Sequence, residues 1–285
     1  MPNNTPPGSA SGTLETAVPH PARIWNYWLG GKDNYAADRR AGDEYAAIFP
    51  RIRLIARTSR YFLARAVRYL AADAGIRQFL DIGTGLPTVD NTHQVAQHAA
   101  PASRIVYVDN DPVVLAHARA LLTSSPEGVC DYVDADLREP GKILDAAAGT
   151  LDFTGPIALM LMGIVGHIGD EHAYPIVREL INALPAGSYL ALYDGSNVSE
   201  AFNTAQDGYN QSGADPYFLR SPAQIARFFT AWTWSSPVWC RAPAGAPNSA
   251  PSARAPPTPK PTPASGASAD AAGHRGPPRG RREEP

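Results

Sequence analysis

Acidic residues follow three apolar segments that each have the length of a buried strand. Asp81 lies at the end of the run 79–82, Asp109 closes the run 104–108, and Asp136 follows a third run. The first two are separated by the interval of a βαβ unit, and an acidic side chain there can accept hydrogen bonds from both ribose hydroxyls. Three acidic strand ends at one edge of a parallel sheet favour a nucleoside-binding site.

A glycine pair follows the first acidic residue directly, as Gly83-Thr84-Gly85. Glycines after a strand let the backbone turn tightly and approach a ligand without an intervening side chain. Thr88 occupies the position of the third glycine of the dinucleotide fingerprint, which disfavours a pyrophosphate-binding dehydrogenase. A nucleoside without a diphosphate fits better, and an oxidoreductase with a nucleoside cofactor is the weaker alternative.

His167 lies in the glycine-interrupted segment 163–170, after a fourth apolar run. This segment is expected at the carboxyl end of the sheet, where open α/β folds bind ligands. The histidine is a candidate general base for an acceptor O–H or N–H group. The alternative is a structural histidine that is satisfied by hydrogen bonds.

The apolar runs alternate with helical patterns, which predicts an α/β fold with a doubly wound, mostly parallel sheet. A fifth strand is expected at 188–193. Before the sheet, helices are predicted at 35–48 and from Thr58 or Ser59 to 74. After it, the polar segment 197–217 is interpreted as a mobile cap or acceptor-side loop. Further helices are predicted at 174–184 and 221–229, the last with Ser221 as N-cap.

Four segments closely resemble an actinobacterial family of S-adenosylmethionine-dependent methyltransferases. These are residues 22–35, 81–86, 106–112 and 134–138, within a match that covers roughly residues 20–230. The resemblance implies a class I Rossmann-like fold, S-adenosylmethionine as cofactor and no metal. It leaves the acceptor open, and we expect a small molecule. The alternative is a pseudoenzyme or regulatory module that binds the cofactor without turnover.

The resemblance assigns roles to individual residues. Asp81 would take the ammonium group of the cofactor, Asp109 the ribose, and Asp136 with Leu137 the adenine, where Asp134 is the competing choice. Arg60 is either a ligand of the methionine carboxylate or a solvent-facing arginine. The predicted cofactor-binding residues are Tyr27, Gly31, Arg60, Asp81, Gly83, Thr84, Gly85, Asp109, Asn110, Asp136 and Leu137.

The N-terminal segment 24–35 contains four aromatic residues and a Gly-Gly turn. It is either an aromatic staple on the core or a lid, in which Tyr27 or Trp28 covers the cofactor. A sulfonium cation is attracted to an aromatic face, and the turn at Gly31 would admit the methionine part. Lys32 is either solvated or the partner of a carboxylate.

Composition limits the functional classes. The 285 residues are 44% hydrophobic and carry a formal charge of −2, so one catalytic domain is expected and nothing attracts the chain to nucleic acid or membrane. Cys130 and Cys240 lack metal-ligand spacing and indicate a reducing cytoplasm. No segment has the length of a membrane span or the pattern of a signal sequence. The oligomeric state is left open.

We expect a disordered N-terminus at 1–20, a methyltransferase domain with a helical lid at 21–235, and a Pro/Ala/Arg-rich disordered tail at 236–285. The tail lacks large apolar residues from Arg241 onward, so the last strands of a seven-stranded sheet are expected to be missing.

Our hypothesis for the tail is a frameshift near Thr230. Tryptophan has a single codon, and Trp232-Thr233-Trp234 read one base earlier gives a strand-like apolar sequence. The alternative is a genuine, mildly basic tail that ends in a weak nucleic-acid contact at 279–282.

Overall fold

The computed structural model describes residues 16–121 and 123–230. Three helices precede the sheet, and from there strands and helices alternate. The helices are α1 (Pro21–Trp28), α2 (Ala36–Ile48), α3 (Ile52–Arg68), α4 (Thr92–Ala99), α5 (Pro112–Leu121), α6 (Pro140–Ala147), α7 (Asp170–Asn182), α8 (Glu200–Asn210) and α9 (Pro222–Arg227). The strands are β1 (Gln78–Ile82), β2 (Arg104–Asp109), β3 (Val129–Asp134), β4 (Ala158–Met162) and β5 (Tyr189–Tyr193).

The five strands form one parallel sheet in the order β3-β2-β1-β4-β5, which confirms the doubly wound α/β prediction. The chain leaves β1 toward β2 and β3 and later returns on the other side of β1 as β4. The topological switch point therefore lies between β1 and β4, where sheets of this type open a crevice for ligands. In register, Asp109 of β2 pairs with Asp134 of β3.

Both faces of the sheet are covered, as expected for parallel strands. Every residue of β1 and β4 is buried. Alternate positions serve different cores because successive strand residues point to opposite faces. Leu80 and Leu159 belong to the cluster that includes α6 and α7, whereas Phe79 and Met160 belong to the cluster that includes α3 and α4.

Several expected boundaries differ from the observed ones. The helix expected to begin at Thr58 or Ser59 is α3, which begins at Ile52. Thr58 lies within this helix, and its hydroxyl donates to Leu54 O. The third strand ends at Asp134 rather than Asp136. The segment expected as a cap loop contains α8, which is capped by Ser199 Oγ and packs on α2.

The expected domain boundaries fall largely on undescribed residues. The N-terminal expectation covers residues 1–20, of which 16–20 are described. The backbone N–H of His20 donates to Asp38 Oδ1 at 2.8 Å. The tail, the missing last strands and the frameshift hypothesis concern residues outside the described part of the chain. Within residues 16–121 and 123–230, the helices are too short or too polar to cross a membrane.

Candidate cofactor and acceptor site

A cavity of about 1290 Å³ lies at the carboxyl ends of the strands, at the switch point between β1 and β4. It also extends along β5 toward α9, and its outer wall comes from α1, α2 and α8. Nine of the eleven predicted cofactor-binding residues line it, and so does His167. These nine are Arg60, Asp81, Gly83, Thr84, Gly85, Asp109, Asn110, Asp136 and Leu137.

The loop after β1 is held in a conformation that requires its glycines. Gly83 and Gly85 have φ angles of +74° and +66°. A Cβ atom at Gly83 would lie 2.5 Å from Ile164 Cγ1, so a side chain would also collide there. Gly85 N donates to Asp109 Oδ2 at 2.9 Å, and Thr84 Oγ1 donates to Val108 O at 3.2 Å. These bonds join the loop to the end of β2 and preform the site.

Asp81 and Arg60 place opposite charges at one end of the cavity. Asp81 is buried, and Thr92 Oγ1 donates to its Oδ2 at 2.5 Å. Burial raises the pKa of Asp81 to about 6, against the opposing effects of the Thr92 hydrogen bond and the Arg60 charge. Arg60 Nη2 donates to the carbonyls of Val89 and Asp90 at 3.2 and 3.1 Å.

The Nε atom of Arg60 is buried and has no hydrogen-bond partner among the described residues. An unpaired buried donor costs free energy, so it is an available partner for an anionic ligand. A carboxylate and a guanidinium at one end of the cavity fit the ammonium and carboxylate groups of an amino acid. The residues present therefore fit the methionine part of S-adenosylmethionine.

Asp109 lies between the glycine loop and α5. Its Oδ1 accepts from Asp111 N at 3.0 Å, and its Oδ2 accepts the Gly85 bond. Burial raises the pKa of Asp109, and these two bonds oppose the rise. Each carboxylate oxygen retains a further lone pair for a ligand hydroxyl. Asp111 caps α5, because its Oδ1 accepts from Val113 N at 2.8 Å.

Asp136 lies two residues beyond the end of β3 and still lines the cavity, whereas Asp134 at the strand end is exposed and does not. Asn110 Nδ2 donates to Asp136 Oδ2 at 2.9 Å. Arg138 holds the same carboxylate through its backbone N–H at 2.8 Å and its guanidinium at 3.0 Å. The loops after β2 and β3 are therefore joined at this carboxylate.

His167 lies in the turn after β4, with Nδ1 at 3.0 Å from Pro216 O. A carbonyl oxygen only accepts, so the proton is assigned to Nδ1 and the lone pair to Nε2. Burial lowers the pKa of His167, and the Pro216 hydrogen bond opposes this. The ring packs edge-to-face on Tyr217, with centroids 5.0 Å apart. A neutral imidazole whose Nε2 carries the lone pair can accept a proton.

A buried network that the sequence did not reveal holds this turn. Arg220 donates to Val165 O at 3.1 Å and Ile168 O at 2.5 Å, on either side of His167. It also pairs with Asp194 at 2.9 Å and with Asp170 at 2.8 Å.

Tyr217 donates its hydroxyl to Asp194 and accepts from Gly195 N at 3.0 Å. The segment 216–220 thus bonds both to the end of β5 and to the His167 turn. Nothing in the local sequence around Arg220 distinguishes it from a surface arginine.

Tyr27 and Gly31 do not line the cavity, which differs from the expectation. Tyr27 Oη donates to Asp43 Oδ1 at 2.7 Å, so its ring faces α2. A Cβ atom at Gly31 would collide with the Asn26 side chain, which explains this glycine by packing alone. Trp28, the other candidate lid residue, does line the cavity.

The N-terminal segment has features of both interpretations of its aromatic pattern, the staple and the lid. α1 packs into a cluster with α2 and α8, as a staple would, and it also forms one wall of the cavity, as a lid would. Lys32 is exposed.

The five-stranded parallel sheet and the site at its switch point define a Rossmann-like protein of the class I methyltransferase type. Residues 7–264 match a family model described as S-adenosyl methyltransferase, and the chain belongs to this family. S-adenosylmethionine is the cofactor of the family.

Two solved structures are similar over most of their length. A DUF574 family protein from Streptomyces avermitilis is 46% identical, with a TM-score of 0.73, and the match covers 76% of this chain and 84% of that one. A proposed methyltransferase from Thermobifida fusca is 37% identical, with a TM-score of 0.70, over 78% and 84% of the two chains. No curated protein matches the chain.

Proposed function

We propose that the protein transfers the methyl group of S-adenosylmethionine to a nucleophile on a small molecule, with His167 as general base. The observation that carries the proposal is the shared cavity. It joins Asp81, Asp109 and Asp136 at the strand ends to a histidine whose Nδ1 is bonded to a carbonyl. Family membership supplies the cofactor, and the position of His167 supplies a place for the acceptor.

The strand-end residues would hold the cofactor. We assign its ammonium group to Asp81 and its carboxylate to Arg60, the ribose to Asp109, and the adenine to Asp136 and Leu137. Gly83, Thr84, Gly85 and Asn110 shape the same half of the cavity. When bound, S-adenosylmethionine supplies an electrophilic methyl group on its sulfonium.

The protein would contribute position, a dry environment and a proton acceptor. Holding two reactants in line in a site shielded from water is the main source of rate for a transfer of this kind. α1 and α8 form part of the cavity wall and would shield the bound reactants from water. Nε2 of His167 would take the proton of the acceptor as its oxygen or nitrogen becomes nucleophilic. Its lowered pKa keeps the imidazole neutral and able to do so near pH 7.

Calorimetric titration with S-adenosylmethionine, S-adenosylhomocysteine and NAD tests the cofactor assignment. We expect binding of the first two and none of NAD. Binding of NAD alone would overturn the proposal in favour of the oxidoreductase.

Transfer of a tritiated methyl group tests the reaction. A Streptomyces extract is divided at about 1 kDa, and each fraction is incubated with protein and labelled cofactor. We expect label in small molecules. Label only in the macromolecular fraction would refute the small-molecule acceptor, and tight cofactor binding without transfer to either fraction would favour the pseudoenzyme.

The two cysteines, at positions without metal-ligand spacing, support a cytoplasmic location as part of this proposal.

A further inference from the structure

The wall of the cavity opposite the strand ends is rich in aromatic side chains. α1 contributes Trp25 and Trp28, whose rings meet edge-on with centroids 5.7 Å apart. The rings of Phe49, at the end of α2, and Phe202 of α8 pack with their centroids 5.2 Å apart. Tyr209 of α8 completes this aromatic wall.

Part of this wall is left uncovered by the protein. Trp28, Phe49 and Tyr209 are buried in the cluster between α1, α2 and α8. Trp25 and Phe202 belong to the same cluster and line the cavity but are only half-buried. Their remaining apolar surface is available to a ligand, and its burial would be favourable by about 25 cal/mol per Å².

The wall offers a ligand no charge. Among the described residues, no Asp, Glu, Lys or Arg of α1, α2 or α8 lines the cavity. Asn26 and Gln206 are the amides on this wall, and both are engaged within the protein. Asn26 Oδ1 accepts from Asp33 N at 3.1 Å and Asn34 Nδ2 at 2.9 Å. Gln206 bonds Tyr45 Oη at 3.2 Å and Asn210 Oδ1 at 3.1 Å.

Tyr217 joins the aromatic wall to the candidate base. Its ring packs against the α1, α2 and α8 cluster and also lies edge-to-face with His167, at 5.0 Å between centroids. Its hydroxyl is used by Asp194, so the ring is held in place between the two features. A flat ligand on the wall would therefore have one edge near His167.

We propose that the aromatic wall binds an uncharged aromatic acceptor and presents its hydroxyl group to His167. This inference rests on the proposed methyl transfer and names its substrate class. Aromatic rings pair with offset or edge-to-face geometry that contributes beyond buried area alone. A charged acceptor would lose hydration against α1, α2 and α8, whose residues offer it no charged partner in the cavity. In the reaction the acceptor oxygen bonds to the methyl carbon as the carbon–sulfur bond breaks. The electron pair stays on sulfur, and the hydroxyl proton passes to His167 Nε2.

Three bicyclic probes test this inference by calorimetry, each with and without S-adenosylhomocysteine. They are 2-naphthol, which is uncharged and aromatic, 2-naphthoate, which is an anion, and trans-2-decalol, which is a saturated alcohol. We expect 2-naphthol to bind at least about tenfold more tightly than either of the others. Equal binding of 2-naphthoate or of trans-2-decalol, or binding of none of the three, would overturn the inference.

Substitutions locate the binding to the wall. Phe202→Leu keeps apolar volume and removes the ring, so it should weaken 2-naphthol binding about tenfold and leave S-adenosylhomocysteine binding unchanged. Tyr61→Leu is the matched control, because Tyr61 is exposed and does not line the cavity. Trp25→Leu is a second variant on another helix, for the case in which the α8 change disturbs folding.

The two proposals fail separately. Binding of S-adenosylhomocysteine without preference for 2-naphthol would leave the proposed function standing and refute the acceptor class. Binding of 2-naphthol by a protein that does not bind S-adenosylhomocysteine would refute the proposed function and leave the wall as a site for an aromatic ligand that is not a methyl acceptor. If both Phe202→Leu and Trp25→Leu fold and bind 2-naphthol as the wild type does, the aromatic wall is not its site.

Discussion

The two halves of the cavity are built in different ways. Apart from Arg60 of α3, the cofactor half comes from residues within 81–138, each attached to the end of a strand or the loop after it. It is joined by short bonds such as Gly85 N to Asp109. The acceptor half is assembled from α1, the end of α2, the His167 turn, and the segment 194–220, which are far apart in the chain. Its central connection is one buried arginine, Arg220.

This difference has consequences for how each half responds to substitution. A carboxylate at the end of a strand can be removed while the sheet beneath it remains packed. The acceptor half depends on a charge network that also supports the fold, so binding and stability are coupled there. Substitutions in the two halves should therefore differ in their effects on stability and on binding.

Arg220→Ala should destabilise the protein by about 3–5 kcal/mol, the usual cost of removing one partner from a buried ion pair. The change leaves Asp194 buried without its cation and removes donors from the carbonyls of Val165 and Ile168. Urea unfolding measures the effect. Arg57→Ala on exposed α3 surface is the control and should change the free energy of unfolding by less than about 0.5 kcal/mol. A similar small effect at Arg220 would show that the acceptor half does not depend on this network.

His167→Ala should reduce methyl transfer to the labelled extract fraction by about 10²–10⁴-fold, the range typical of a general base. Cofactor affinity should stay within about twofold, since His167 belongs to the acceptor half. The control is His172→Ala, because His172 is exposed on α7. A parallel loss of cofactor binding would instead make His167 a structural residue.

Asp109→Ala should weaken S-adenosylmethionine binding by about 100-fold, because charged hydrogen bonds to two hydroxyls are lost. Asp134→Ala is the matched control, since Asp134 is the register partner of Asp109, is exposed and does not line the cavity. Calorimetry measures both variants, and circular dichroism should show an intact fold. Equal losses in the two variants would refute the assignment of the ribose to Asp109.

The same difference explains what could be predicted from the sequence. Asp81, Asp109 and the glycine loop could be predicted because the apolar segments in the sequence show where the strands end. The role of each residue then follows from its position directly at or after such a strand end. Asp136 was expected to end the third strand, which ends two residues earlier at Asp134, and Asp136 still lines the cavity.

The acceptor half could not be obtained in this way. Phe202 belongs to α8, which was not predicted because the segment 197–217 is mostly polar. The role of Arg220 depends on hydrogen bonds to carbonyl groups about 50 residues away in the chain. Tyr27 and Trp28 are neighbours in the sequence but point in different directions because they lie in a helix, α1. Tyr27 faces Asp43, whereas Trp28 lines the cavity.

The smallest predicted effect concerns the pH dependence of Asp81. Its carboxylate must be ionised to bind an ammonium group, and its pKa is about 6 in the ligand-free fold. S-adenosylmethionine affinity should therefore rise as pH increases through about 6 and fall about tenfold between pH 7 and pH 5.

Stability should change in the opposite direction. The folded pKa of Asp81 lies above its unfolded value of about 3.9, so the Asp81 contribution to the free energy of unfolding is fully present below that value. It is lost as pH rises through about 6. Asp81→Asn removes this dependence, and melting curves of the ligand-free wild type and variant between pH 4 and pH 8 should diverge as pH rises, with the variant the more stable at pH 8. Parallel curves would show that Asp81 is solvated in the free protein. The cofactor half would then be hydrated until the ligand binds, rather than preformed and dry.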